Sequence, residues 1–276
     1  MIIRPHGQLV GEIVKITPVM ATAWLERCEA NRPLCDATVK LYARQMAAGT
    51  WPINGETIKF DEAGNLIDGQ HRLWAIVESG VTIECFVVRG VATGAFDTID
   101  VGKKRSPGDL LSIAGEDNAK SLAASLSWLW RLENRCVLHR DRPSAAESRA
   151  VLAQHPNIRD HVHCVTGVPL PAGPAIALSY LSHRASPVVA PGFWMALRTG
   201  ERLHSGDPIY RLREALLADR GRSRGSARVA ITVRVAWTIK AFNYAAAGRR
   251  AQLITWKTNE PFPEFERHFA ATRAAE

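Results

Sequence analysis

The sequence predicts an α+β protein: a small sheet with helices over roughly the first hundred residues, followed by a mostly α-helical part. Two observations predict this. Short stretches rich in β-branched residues, such as "EIVKI", "TIKFD" and "TIECFVVRG", all precede residue 91. Beyond it, helix-length amphipathic segments alternate with breaks such as "GVPLPAGP" and "DRGRSRGS". Charge divides the chain in nearly the same place. Residues 1–100 carry 9 Lys/Arg and 12 Asp/Glu, a balance of −3, whereas residues 101–276 carry 26 and 15, a balance of +11.

Taken in order, a strand ends near Ile16. Thr17 then supplies an N-cap and Pro18 the first position of a helix running to about Cys28. Arg32-Pro33 ends that region, because the residue before proline avoids helical geometry. Asp36 caps a second helix with Val39, Tyr42, Ala43 and Met46 on one face and Gly49 closing it. "TIKFD" and "NLID" flank Asp61-Glu62-Ala63-Gly64, a turn sequence, and read as a hairpin. "QHRLWAIVES" is a helix stopped by Gly80, and "TIECFVVRG" the strand after it. A basic turn then leads into the helical part, with expected helices at 117–136, 144–154, 172–183, 189–199, 207–219 and 226–247. The domains read as 1–106 and 107–276, and no internal repeat is visible.

Composition narrows the classes. Hydrophobic residues at 46% and charged residues at 22% are ordinary for a globular chain. No apolar run reaches the roughly 18–20 residues of a membrane span, and the first residues read as mature protein rather than a signal peptide. The expected location is the cytoplasm of a bacterium or a phage-infected host. Five cysteines (28, 35, 85, 136, 164) form no CxxC pair, so neither a zinc ribbon nor a redox motif is supported. His161, His163 and Cys164 in "HVHC" read as a partly buried loop or helix end before they read as metal ligands. The basic C-terminal part suits a polyanion, DNA being the expected partner.

The motif that carries chemistry is Asp68-Gly69-Gln70-His71-Arg72, at a strand-to-helix turn. A helix N-terminus offers backbone N–H groups and a partial positive charge to an anion. Gly69 permits close backbone approach, and Arg72 can hold a phosphate through two parallel hydrogen bonds. Asp68, itself negative, reads as a Mg²⁺ ligand, as a base for an attacking hydroxyl, or as the N-cap of the helix. Around the turn, Glu56 is a further candidate to orient a hydroxyl or bind magnesium, and Asn54 to bond a substrate. Asp97 and Asp100 precede Lys103, Lys104 and Arg105, cations able to hold a γ-phosphate or, Arg105 among them, a DNA backbone, or else a solvated turn, and Asp100 is a second candidate Mg²⁺ ligand or base. "RGRSRGSAR", with Arg220, Arg222, Arg224 and Arg228, reads as a cationic loop able to follow a nucleic-acid backbone or as a solvated linker. Trp128, Trp130, Trp194, Trp237 and Trp256 read as core.

From Trp51 to Leu73 the pattern "W…NGE.I.FD..G.L.DGQHRL", with Asn31-Arg32-Pro33 upstream, resembles the nucleotide-binding signature of the ParB/sulfiredoxin superfamily. The resemblance covers about residues 9–105. It implies a ParB/sulfiredoxin-like N-terminal domain binding a nucleoside triphosphate, ATP with Mg²⁺, through Gly69, Gln70, His71, Arg72 and Arg32, with Lys103 and Lys104 nearby. Sulfiredoxins have a reactive cysteine where Gln70 stands, which excludes sulfinic acid repair. Partitioning ParB proteins have Glu and Arg at positions 70 and 71. The superfamily's free serine kinases carry "DGHHR", one residue away, so the resemblance implies a phosphotransferase with Asp68, Glu56 and His71 as catalytic candidates. The basic helical part extends this expectation to a DNA acceptor, the 5-hydroxymethyl group of a modified pyrimidine. A nucleotide-binding, DNA-binding protein without kinase activity, and a kinase of a free small molecule, are the alternatives.

Overall fold

The computed structural model describes residues 9–28, 33–92, 95, 99, 105–139, 141–221 and 228–266. The chain divides into two compact units, Met1–Lys104 and Arg105–Glu276. Among the described residues there are eleven α-helices and one four-stranded sheet, a mixed α/β architecture that is mostly helical.

The first unit runs β1 (Val10–Ile16), α1 (Pro18–Leu25), α2 (Asp36–Ala47), β2 (Thr57–Asp61), β3 (Leu66–Asp68), α3 (Gln70–Ser79) and β4 (Ile83–Val91). This is the order read from the sequence. The strands lie in the order β1-β4-β2-β3; β4 pairs antiparallel with β1 and parallel with β2, and β3 closes the hairpin on β2. Period-2 alternation assigns the faces. Ile58 and Phe60 of β2, Ile83, Cys85 and Val87 of β4, and Ile16 of β1 join Leu73 and Ile76 of α3 and Val39, Ala43 and Met46 of α2 in one core. Each large apolar side chain so buried contributes roughly 1.5–3 kcal/mol.

Local chemistry explains the boundaries. Thr17 accepts a hydrogen bond from the Met20 amide, with Pro18 at the first helical position, as expected. The helix stops at Leu25, three residues earlier than expected. The N-cap of α2 is Cys35 rather than Asp36, which lies inside the first turn, where its charge favours the helix dipole. In the hairpin the Asp61 carboxylate accepts from both the backbone and side-chain N–H groups of Asn65.

The second unit contains α4 (Pro107–Ile113), α5 (Ala119–Glu133), α6 (Ala145–Gln154), α7 (His161–Cys164), α8 (Ala172–Ala185), α9 (Ala190–Thr199), α10 (Pro208–Arg220) and α11 (Ile231–Ala246). The expected break "HPNIRDH" is a short 3₁₀ turn, Pro156–Asp160, leading directly into α7, and α11 starts later than residue 226. Helix α8 is the hub, buried on almost every side. Gly173 permits this: a Cβ there would stand 2.7 Å from the Ala124 Cβ on α5. Trp194 and Trp256 are buried, and Trp128, Trp130 and Trp237 pack against the same core.

Candidate functional site

The Asp68–Arg72 turn is built by a defect in the hairpin. Lys59 pairs with Asp68, yet Phe60 pairs with Leu66, so Ile67 is an extra residue on β3. A bulge of this kind re-aims the flanking side chains. Leu66 and Phe60 point into the core, while Asp68 shares the opposite face with Lys59. Lys59 Nζ donates to Asp68 Oδ2 at 2.5 Å.

Gly69 then turns the chain. Its φ of 104° and ψ of 6° belong to the left-handed region, and a Cβ would lie 2.4 Å from Ile58 Cδ1 and 3.2 Å from Ile58 Cα. Both conformation and space therefore require glycine. Gly69, not Asp68, is the N-cap of α3, and no side chain caps it. The reading of Asp68 as a cap is corrected: its carboxylate is spent on cations.

Helical periodicity decides where the next three side chains go. Gln70 and His71 are only 7% and 8% exposed. Gln70 Oε1 accepts from the Cys28 thiol, and His71 Nε2 accepts from the Cys35 backbone N–H at 3.0 Å. An accepting Nε2 places the proton of a neutral ring on Nδ1. Both side chains thus tie the segment between α1 and α2 to the start of α3. Arg72 emerges from the turn and bridges two carboxylates, NH1 to Glu56 Oε2 at 2.9 Å and NH2 to Asp68 Oδ1 at 3.4 Å. Glu56 is aimed by the turn before β2, where Asn54 Oδ1 accepts its backbone N–H.

The result is a linear array, Lys59–Asp68–Arg72–Glu56, of two cations and two carboxylates. Lys59, Asp68 and Arg72 have side chains 26%, 13% and 12% exposed, whereas Glu56 is 68% exposed. Both Asp68 oxygens are engaged by cations. The Lys59 ammonium has three donors and one acceptor among the described residues. An anion meeting this face finds two oriented cations, one of them held by a carboxylate that can swing into solvent.

Of the residues expected at the site, the structure thus gathers Asp68, Gly69, Arg72 and Glu56, and turns Gln70 and His71 inward. Arg32, Asp97, Asp100, Lys103, Lys104, Arg222 and Arg224 lie outside the described residues. Arg105, Arg220 and Arg228 belong to the second unit and are exposed. Lys59 was missed. The available signal was its polar place between Ile58 and Phe60, next to a turn that returns Asp68 to it. Among the described residues no group of three His, Cys, Asp or Glu side chains is arranged to hold a metal ion.

Cys35 and His161 also have shifted acidity. Cys35 is exposed at the start of α2, and hydrogen bonds from the Thr38 hydroxyl, the Thr38 amide and the Ala37 amide hold its thiol below the usual range. In the second unit, burial and then the neighbouring His183 ring push His161 down to about 4. Its Nδ1 lies 2.9 Å from Ser179 Oγ, and its ring meets Tyr180 and His183 edge-on.

No family model, no curated protein and no solved structure matches this chain.

Proposed function

We propose that the chain is a nucleotide-dependent phosphotransferase of the ParB/sulfiredoxin superfamily, with ATP and Mg²⁺ at the Gly69–Arg72 turn. Its acceptor is a hydroxyl on DNA, the 5-hydroxymethyl group of a modified pyrimidine. The observation that carries the reading is the convergence of Lys59 and Arg72 on Asp68 beside the N-terminus of α3. Phosphoryl transfer asks a protein mainly for positioning and for neutralisation of phosphate charge, and two fixed cations at a helix start supply both.

Within this reading Asp68 sets the position of Lys59 and Arg72, since each of its oxygens already holds a cation. Glu56 reaches Arg72 through one oxygen only, so it is the carboxylate with room to take a proton from the acceptor or to hold Mg²⁺. Gln70 and His71 hold Cys28 and the Cys35 amide, which flank Arg32 in the sequence. The surplus of +11 over residues 101–276 supports a polyanionic acceptor.

The test incubates the protein with γ-labelled ATP, magnesium and three DNAs: unmodified, 5-hydroxymethyluracil-containing and 5-hydroxymethylcytosine-containing. Label confined to a hydroxymethylated DNA is the expected result and names the base. Bound nucleotide without label in any DNA would redirect the reading to a free small-molecule acceptor or to a nucleotide-binding, DNA-binding protein.

A further inference from the structure

The second unit contains a cavity of about 660 Å³ between the end of α5, the end of α8, α11 and the segment around Phe262. That volume lies within the range of about 300–1,000 Å³ typical of small-molecule sites. Its lining includes the apolar side chains of Leu132, Val137, Leu181, Ile239, Phe262 and Phe265. The segment of Phe262 and Phe265 is held by Asn243, whose Nδ2 donates to the Glu264 carbonyl and whose Oδ1 accepts from the Glu266 amide.

Two charged residues of the lining, Glu133 and Arg184, meet one imidazole outside it, that of His155. His155 Nε2 lies 3.0 Å from Glu133 Oε1, and His155 Nδ1 lies 2.9 Å from the Tyr180 hydroxyl and 3.3 Å from Arg184 NH1. A guanidinium can only donate, so Nδ1 accepts and the proton sits on Nε2, directed at Glu133. This leaves Glu133 Oε2 as an acceptor without a protein partner among the described residues. Arg184 stacks near the Tyr180 ring and meets no carboxylate among the described residues. An acceptor and a set of donors from the cavity lining are therefore fixed on the two ring nitrogens of one imidazole. At the rim, Arg135 and Glu264 form an exposed ion pair at 2.9 Å, a contact weak enough to open easily.

We infer that this cavity binds a nucleobase: a flat heterocycle whose edge offers Glu133 a donor and Arg184 an acceptor while its faces meet apolar side chains. The excess positive charge of this part of the chain matches the phosphates that would accompany such a base in DNA. A base within a duplex reaches such a cavity only by leaving the stack, and recognition of its hydrogen-bonding edge against apolar walls is how flipped bases are read. The inference deepens the reading given under Proposed function and rests on its DNA acceptor.

The test titrates the full chain with 5-hydroxymethyl-2′-deoxyuridine, 2′-deoxyuridine and 2′-deoxycytidine, with abasic deoxyribose and decanoate as comparators, by calorimetry. At least one nucleoside binds and abasic deoxyribose does not. Glu133→Gln, which turns the acceptor into a donor, and Arg184→Gln each weaken that binding about tenfold, the size expected for losing one charge-assisted hydrogen bond. Leu138→Trp, at an exposed rim position, blocks it without touching the core. Arg149→Gln, on the exposed side of α6, leaves it unchanged. Absence of nucleoside binding, binding unaffected by Leu138→Trp, or binding of decanoate alone would overturn the inference. Nucleoside binding lost in Glu133→Gln, with no phosphate transfer to any DNA, keeps the cavity assignment and removes the kinase. Transfer to DNA at the wild-type rate in Glu133→Gln and Leu138→Trp removes only the cavity assignment.

Discussion

Asp68 in the first unit and Asp219 in the second are both carboxylates at a junction with a helix end, beside basic side chains. Asp219, 2% exposed in the last turn of α10, accepts the Val229 amide at 2.7 Å and lies 3.6 Å from Arg234 NH1. It pins the far end of the arginine-rich segment back onto α10. Asp68 is bound by two side-chain cations, and Lys59 keeps two donors beyond it. The difference is in what the partners have left to offer. The Val229 amide, satisfied by the buried Asp219 carboxylate, has nothing further to give, so that contact is an anchor, although Arg234 beside it keeps donors of its own. An ammonium and a guanidinium held by Asp68 still have donors to spare, which is what the proposed site at Asp68 rests on.

Removing each carboxylate sharpens that contrast. Asp219→Ala should destabilise the second unit by about 3 kcal/mol, because it strands a half-buried amide and leaves Arg234 without its ion-pair partner. Chemical denaturation followed by Trp fluorescence reads this, and unchanged stability would deny the anchoring role. Next in size is Gly69→Ala. A left-handed backbone and the approach of Ile58 together should cost the first unit about 2 kcal/mol. Ile58→Val removes the nearest atom, Cδ1, so a double-mutant cycle should show the two changes coupled; additivity would sink the close-approach argument.

If the proposed ATP site is right, Lys59→Met should weaken ATP binding about tenfold, whereas Lys15→Met, whose ammonium pairs with Glu84 on the exposed sheet surface, should not. Equal affinities for wild type and Lys59→Met would leave Asp68 and Lys59 as a structural pair. The pH dependence of the second unit is smaller. His161 titrates near 4 when folded and near 6.5 when unfolded, so the unfolded chain takes up the proton first as pH falls. Its contribution is full above about pH 6.5 and lost progressively towards pH 4. Allowing for partial exposure, His161→Asn should flatten the stability profile over that window by roughly 1–2 kcal/mol. An unaltered profile would assign the dependence to other groups. The smallest effect is on a rate alone. Cys35 should alkylate faster than buried Cys85, whose thiol is raised by burial, and Thr38→Val should slow Cys35 by removing the hydroxyl that favours its thiolate. Equal Cys35 rates in the wild type and in Thr38→Val would show that the hydroxyl does not matter.

Local periodicity and turn chemistry made the element order of the first unit legible, together with most of the helices of the second. Thr17-Pro18, Gly80 and the Asp61–Gly64 turn act within a few residues, so the sequence by itself determined those boundaries. It also marked Asp68-Gly69 and Arg72 as a place where a helix begins beside charge. The sequence could not decide which side chains of "DGQHR" face a ligand, because that depends on which face of α3 the sheet buries. Packing turned Gln70 and His71 inward to hold Cys28 and the Cys35 amide. Nor could it decide the role of Lys59: nine residues separate it from Asp68, and only the bulge at Ile67 brings the two to the same face. The Glu133, His155 and Arg184 group is further from view still, because its members come from α5, the residue that follows α6, and α8. Bonds set by chain distance can be read along the chain, whereas bonds set by packing exist only once the core has chosen its faces.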